Sequence, residues 1–167
     1  MNKNIMAQVS GGNIYNTVYP AGSNQDSSQG TTDIINHIQS GLQSNPNQCF
    51  ILEGYSQGAT ATVNALVKLT SAQSAAVKGV FLIGDPLHKS GLACNVDSNG
   101  GTTTRNLNGI SQYYGANAIP SGFISKSLDV CAPVSFSVSP LRQGKGSGIL
   151  TFEVTGRWCL HQQRSRH

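Results

Sequence analysis

The stretch Cys49-Phe50-Ile51-Leu52-Glu53-Gly54-Tyr55-Ser56-Gln57-Gly58-Ala59 changes character twice. Cys49–Leu52 is a short, wholly apolar run ending at Glu53-Gly54, the pattern of a strand buried on both faces. From Gln57 to Leu69 the residues Ala59, Ala61, Val63, Ala65, Leu66 and Leu69 recur as on a buried helix. Between them lies Gly54-Tyr55-Ser56-Gln57-Gly58, a Gly-x-Ser-x-Gly turn. The pentapeptide alone is moderately specific. Its setting, strand before and helix after, is what a nucleophile elbow requires. Glycines admit a turn too sharp for larger side chains, so Ser56 is expected to project above the sheet edge as a candidate nucleophile. The helix behind it offers backbone N–H groups and a positive dipole end to a developing oxyanion.

Working outward, Ile14–Tyr19 is a strand candidate stopped by Pro20. Thr31-Thr32-Asp33 is expected to cap a helix carrying Ile34, Ile35, Ile38 and Leu42, closed by Asn45-Pro46-Asn47. Val80–Ile83 is the next buried strand, ended by Gly84-Asp85-Pro86. Gly91 to Ser111 reads as surface loop or hairpin, and Ile119–Val130 as strand-like sequence leading to Cys131. Helices alternating with short apolar strands indicate an α/β fold with a parallel sheet covered on both faces.

The 167 residues suffice for one domain with a real core, 38% apolar and only 11% charged. The longest apolar runs are strand-sized, so no transmembrane helix is expected, and the N-terminus lacks the apolar stretch of a signal peptide. Cys49, Cys94, Cys131 and Cys159 contain no closely spaced pair of metal-binding type, which favours disulfides or free thiols and no metal. The net charge is +4, but it is unevenly placed. Up to residue 133, Lys3, Lys68, Lys78, Lys89, Arg105 and Lys126 balance Asp26, Asp33, Glu53, Asp85, Asp97 and Asp129. The excess lies beyond, in Arg142, Lys145, Arg157, Arg164 and Arg166 against Glu153. That tail lacks interleaved aromatics and a helical basic stripe, so no nucleic-acid partner is expected.

Gly54-Tyr55-Ser56-Gln57-Gly58-Ala59 resembles the elbow of the cutinase and acetylxylan esterase family, secreted esterases of fungi and bacteria. Val18-Tyr19-Pro20-Ala21, Gly84-Asp85-Pro86, Gly91-Leu92-Ala93-Cys94-Asn95-Val96-Asp97 and Leu128-Asp129-Val130-Cys131 extend the likeness over residues 12 to 133. The resemblance implies an α/β-hydrolase-type three-layer sandwich around a small parallel sheet, here incomplete at both ends. It implies Ser56 as nucleophile and the Gln57 backbone N–H as one oxyanion donor. No cofactor is implied, and the protein would be secreted and monomeric. The substrate would be an ester: cutin, acetylated polysaccharide or small acyl esters. Cys49, Cys94 and Cys131 become disulfide candidates, Cys49 without its usual upstream partner.

The family completes its triad in a segment Cys-x-x-Gly-Asp-x-Val-Cys, with a His further on. Here Cys131 is followed by Ala132-Pro133-Val134-Ser135-Phe136, so Ser135 occupies the place of the Asp and no His follows in register. Asp129 and His161 remain as out-of-register candidates for the triad. His37 is expected on a helix surface, and His88 as a loop hydrogen-bonder. Residues 1–133 are thus read as a partial catalytic-type domain and 134–167 as an aberrant, poorly ordered basic tail. Val134-Ser135, Leu150-Thr151 and Thr155-Gly156 can encode the donor, branch and acceptor signals of a short intron. Shifted by one base, the codons from Gly156 onward can read Gly-Asp-Gly-Val-Cys, which restores the missing motif after Pro133. Residues 134–155 are accordingly expected to be translated intron, and 156–167 an out-of-frame exon. The rival readings are a non-catalytic product binding polymer or lipid, and a fragment with no function.

Overall fold

The computed structural model describes residues 11–132 and 150–154. Chain order runs β1 (Asn13–Asn16), α1 (Ser28–Ser44), β2 (Cys49–Tyr55), α2 (Gln57–Lys68), α3 (Ser71–Ala76), β3 (Val77–Ile83) and β4 (Asn95–Val96). A 3₁₀ turn (Ile110–Tyr114), α4 (Ser121–Ile124), β5 (Ser127–Val130) and β6 (Leu150–Val154) follow. The sheet order is β1-β6-β2-β3-β5-β4. β2, β3, β5 and β4 form the parallel part, with Tyr55 opposite Ile83 and Ile83 opposite Val130. This is the α/β sandwich expected from the alternating pattern.

One sheet face carries the core. Phe50, Leu52, Val80 and Leu82 pack with Ile34 and Ile38 of α1 and Ala59, Val63 and Leu66 of α2. Helix α2 is buried around most of its circumference, which explains its alanines: small side chains let it lie close to β2. At Gly54 the approach is closest. A Cβ there would come within 2.7 Å of the Ala59 Cα, so the position demands glycine.

Several elements differ from the sequence expectation. Helix α1 begins at Ser28, earlier than the Thr31-Thr32-Asp33 signal. The Asp26 carboxylate accepts the Ser28 N–H at 2.9 Å, while the later polar residues serve tertiary contacts. Thr31 donates its hydroxyl to the Ala61 carbonyl of α2, and Asp33 accepts the Tyr15 hydroxyl and the Val18 N–H. His37, expected on the helix surface, is half-buried: its ring stacks on Tyr15 at 3.6 Å and meets Phe50 edge-on. Helix α3 went unforeseen although it carries a capping box, Thr70 with Gln73. The loop from Gly91 contains the two-residue strand β4, and the segment before Cys131 splits into α4 and β5.

The tail was expected to be poorly ordered. Within it, Leu150–Val154 form β6. Strand β6 pairs antiparallel with both β1 and β2, with Ile51 opposite Phe152 and Ile14 opposite Phe152. The physical reason is the exposed edge of β2, whose unpaired N–H and C=O groups accept any strand-forming segment. The rest of the tail, with His161 and Cys159, lies outside the described residues. Among the described residues no helix is long and apolar enough to cross a membrane.

Candidate active site

Ser56 sits where β2 gives way to α2. Its backbone adopts φ 51°, ψ −118°, in a region that L-residues with side chains rarely occupy. Three hydrogen bonds hold this strained turn: the Ser56 N–H donates to the Ile83 carbonyl at 2.9 Å, and the Ser56 carbonyl accepts from the Ala59 and Thr60 N–H groups. Ser56 is the N-cap of α2, yet its hydroxyl makes no capping hydrogen bond and is left for other chemistry. The side chain is partly accessible, between an exposed Tyr55 and a buried Gln57.

Gln57 opens α2, where helix geometry leaves the first N–H groups without intrahelical acceptors. Its backbone N–H is one of those first donors. Its side chain reaches back to the Gly22 carbonyl at 3.4 Å and ties the loop after Pro20 to the elbow. Beside that loop lies an open depression of about 360 Å³, lined by Pro20, Gly22, Ser23, Asn24, Asp26 and Gln29.

The other candidates fall elsewhere. Asp129 lies in β5, fully buried, and spends its carboxylate on His88: Nδ1 to Oδ2 is 2.7 Å, with both side chains 1% exposed. The triad role weighed for Asp129 finds no support in that arrangement. His88 is the loop hydrogen-bonder it was read as. Cys94 and Cys131, weighed as disulfide candidates, carry free thiols, and Cys49 is buried at the head of β2. Cys94 is also buried, and burial with the nearby Asp129 charge pushes its thiol up to about 11, which makes it a poor nucleophile. Among the described residues no cluster of His, Cys, Asp or Glu could hold a metal ion.

Sequence reasoning missed the grouping of Asp85, His88 and Asp129. A signal was present in β5: Ser127 and Asp129 face inward while the apolar Leu128 is 48% exposed, an inversion of the usual strand pattern. Glu53 is a second buried acid, on β2. Neither of its oxygens has a hydrogen-bond partner among the described residues, and burial raises its carboxyl.

A strained serine between a parallel strand and a helix N-terminus defines the serine-hydrolase class of α/β proteins. The Cutinase family profile matches residues 2–134, and the chain belongs to that family, one of serine esterases. The structure resembles that of "a novel cutinase-like protein from Cryptococcus sp.", with TM-score 0.75 and 64% identity, over 78% of this chain and 64% of that one. A cutinase of Hypocrea jecorina is 42% identical over 74 residues, covering 42% of this chain and 29% of the relative. Carboxylesterase Culp1 of Mycobacterium tuberculosis is 30% identical over 136 residues, 77% of this chain and 54% of the relative. The chain thus spans between 29% and 64% of the length of these relatives.

Proposed function

We propose that the chain carries the nucleophile half of a cutinase-type carboxylic ester hydrolase. Ser56 attacks the ester carbonyl, an acyl-enzyme forms, and the Gln57 N–H receives the charge that develops on the carbonyl oxygen. The observation carrying this reading is the strained Ser56 backbone with its hydroxyl unspent on capping, at the start of α2. Strain of this kind persists where the surrounding structure enforces it, and it gathers at functional turns.

A serine hydroxyl needs a base to become a good nucleophile at neutral pH. The position in register for the triad Asp holds Ser135, and Asp129 is engaged with His88. The chain as it stands is therefore proposed to hydrolyse esters slowly, through Ser56 and backbone assistance alone. Loss of triad partners costs roughly several powers of ten in rate. The substrates proposed are small acyl esters, cutin or acetylated polysaccharide, and the site of action is outside the cell, as the family resemblance implies.

The test is p-nitrophenyl butyrate hydrolysis by the full chain beside Ser56→Ala. Slow turnover that vanishes in the variant is the expected result. Equal rates in both proteins, above buffer, would remove Ser56 from the mechanism. A second reading, a non-catalytic binder of polymer or lipid, draws on Ile110, Tyr113 and Tyr114, which stand 75%, 80% and 89% exposed on the 3₁₀ turn. Cooperative unfolding together with no Ser56-dependent hydrolysis would favour that reading.

A further inference from the structure

We propose that Asp85, His88 and Asp129 form a buried proton-sharing clasp that fixes the segment after β3 to β5 and thereby positions the Ser56 turn. The clasp concerns position, and it stands whether or not Ser56 turns over an ester.

The connection to Ser56 is short. Ile83 ends β3, and its carbonyl accepts the Ser56 N–H. The chain then turns at Gly84, φ +59°, whose N–H donates to the Val130 carbonyl of β5. Asp85 follows, folded back on itself: its Oδ1 accepts the Leu87 N–H at 2.8 Å and its carbonyl accepts the His88 N–H. His88 is then pinned to β5 by its 2.7 Å bond to Asp129, while its carbonyl accepts the Gly109 N–H at 2.7 Å. No other side-chain bond among those described joins this loop to β5. The His88–Asp129 bond therefore adds a side-chain anchor to the Gly84–Val130 backbone bond in holding the turn that presents the Ile83 carbonyl to Ser56.

The proton count follows from burial. Asp85 is 4% exposed, His88 1% and Asp129 0%. Two carboxylates with one imidazolium would leave a net negative charge there, with Asp85 Oδ2 and Asp129 Oδ1 both lacking hydrogen-bond partners. One further proton, held on Asp85, makes the cluster neutral, at far smaller desolvation cost. Burial first, then the Asp129 charge, pushes the Asp85 carboxyl up to about 7, against the pull of the Leu87 N–H and the His88 charge. Burial pulls His88 down, but the hydrogen bond and charge of Asp129, with the Thr104 backbone and Asp85, leave it raised overall. Cys94, packed beside the cluster, stays a neutral thiol throughout.

Both shifts act in one direction. Asp85 keeps its proton in the native state up to about 7 but in the unfolded chain only to about 3.8, so the native state binds more protons between those values and loses stability as pH rises through them. The stability that His88 contributes is present below its unfolded value and is lost as pH rises through its raised folded value. Glu53, buried separately on β2, has the same sign as Asp85, so the wild-type trend alone does not identify the clasp. Asp85→Asn does.

The experiment is urea unfolding of the full chain from about pH 4 to about pH 9 for wild type, Asp85→Asn and His88→Asn, with amide hydrogen exchange at Ser56. Asp85→Asn should flatten the decline between about pH 4 and about pH 7 and match or exceed wild-type stability above it. His88→Asn should speed Ser56 amide exchange by about tenfold or more while the Ile38 amide changes little. A wild-type decline reproduced in parallel by Asp85→Asn would overturn the shared proton. Unchanged Ser56 exchange in a folded His88→Asn protein would overturn the positioning. If His88→Asn does not fold, Glu53→Gln decides the second point: with that carboxyl removed, Ser56 exchange should still quicken with rising pH beyond the intrinsic rate, and failure to do so would sink the idea.

Discussion

Ser56 combines two demands that ordinarily conflict, a side chain and a backbone conformation that favours glycine. Strain of this kind costs about 1–3 kcal/mol. Ser56→Gly would relieve it while adding the chain flexibility of glycine, about 0.5–1 kcal/mol. The net expectation is stabilisation by about 1 kcal/mol, seen as a higher urea midpoint, together with loss of any Ser56-dependent hydrolysis. A lower midpoint would show that the turn carries no strain. Gly54 is the opposite case: its φ is ordinary, and what forbids a side chain is the Ala59 backbone lying against it.

At the level of elements, the nucleophile turn depends on how α2 is delivered and withdrawn. Its N-terminus is set by the packing of Ala59 against Gly54, and its far end passes through Thr70 directly into α3. There Thr70 and Gln73 cap each other's backbone, with the Gln73 side chain also bonded to Gln39 of α1 at 3.1 Å. Thr70→Ala removes the cap and should cost about 1 kcal/mol in urea unfolding. An unchanged midpoint would mean that the α2–α3 junction is held by Gln73 alone. Strand β6 shows a different logic: it runs antiparallel between β1 and β2 and covers the edge that β2 would otherwise leave open. Any segment with enough strand character can occupy such an edge, so β6 says little about the origin of the sequence that forms it.

For the molecule as a whole, the Cutinase profile ends at residue 134, beside the point where the charge balance changes and the triad register fails. The reading of residues 134–155 as translated intron predicts that spliced transcripts join the codon of Pro133 to a frame encoding Gly-Asp-Gly-Val-Cys. Sequencing those transcripts tests it, and a dominant mRNA retaining the intervening segment would end the proposal. A chain translated from the spliced form should hydrolyse p-nitrophenyl butyrate faster than this one by roughly several powers of ten, because Ser56 would regain its base.

The sequence alone determined the strand–turn–helix around Ser56, the parallel α/β arrangement and the family, because each rests on local pattern. An apolar run, a glycine-flanked serine and an alanine-rich helix need no distant partner to be recognised. Only the tertiary structure decided the roles of Asp85, His88, Asp129, His37 and Thr31. Each is a polar residue whose meaning depends on what the fold places opposite it. His88 and Asp129 stand far apart in the chain, and nothing local to either tells that together they are buried as a pair. The same holds for β6, where an open sheet edge, not the propensity of Leu150–Val154 by itself, gave the segment its place.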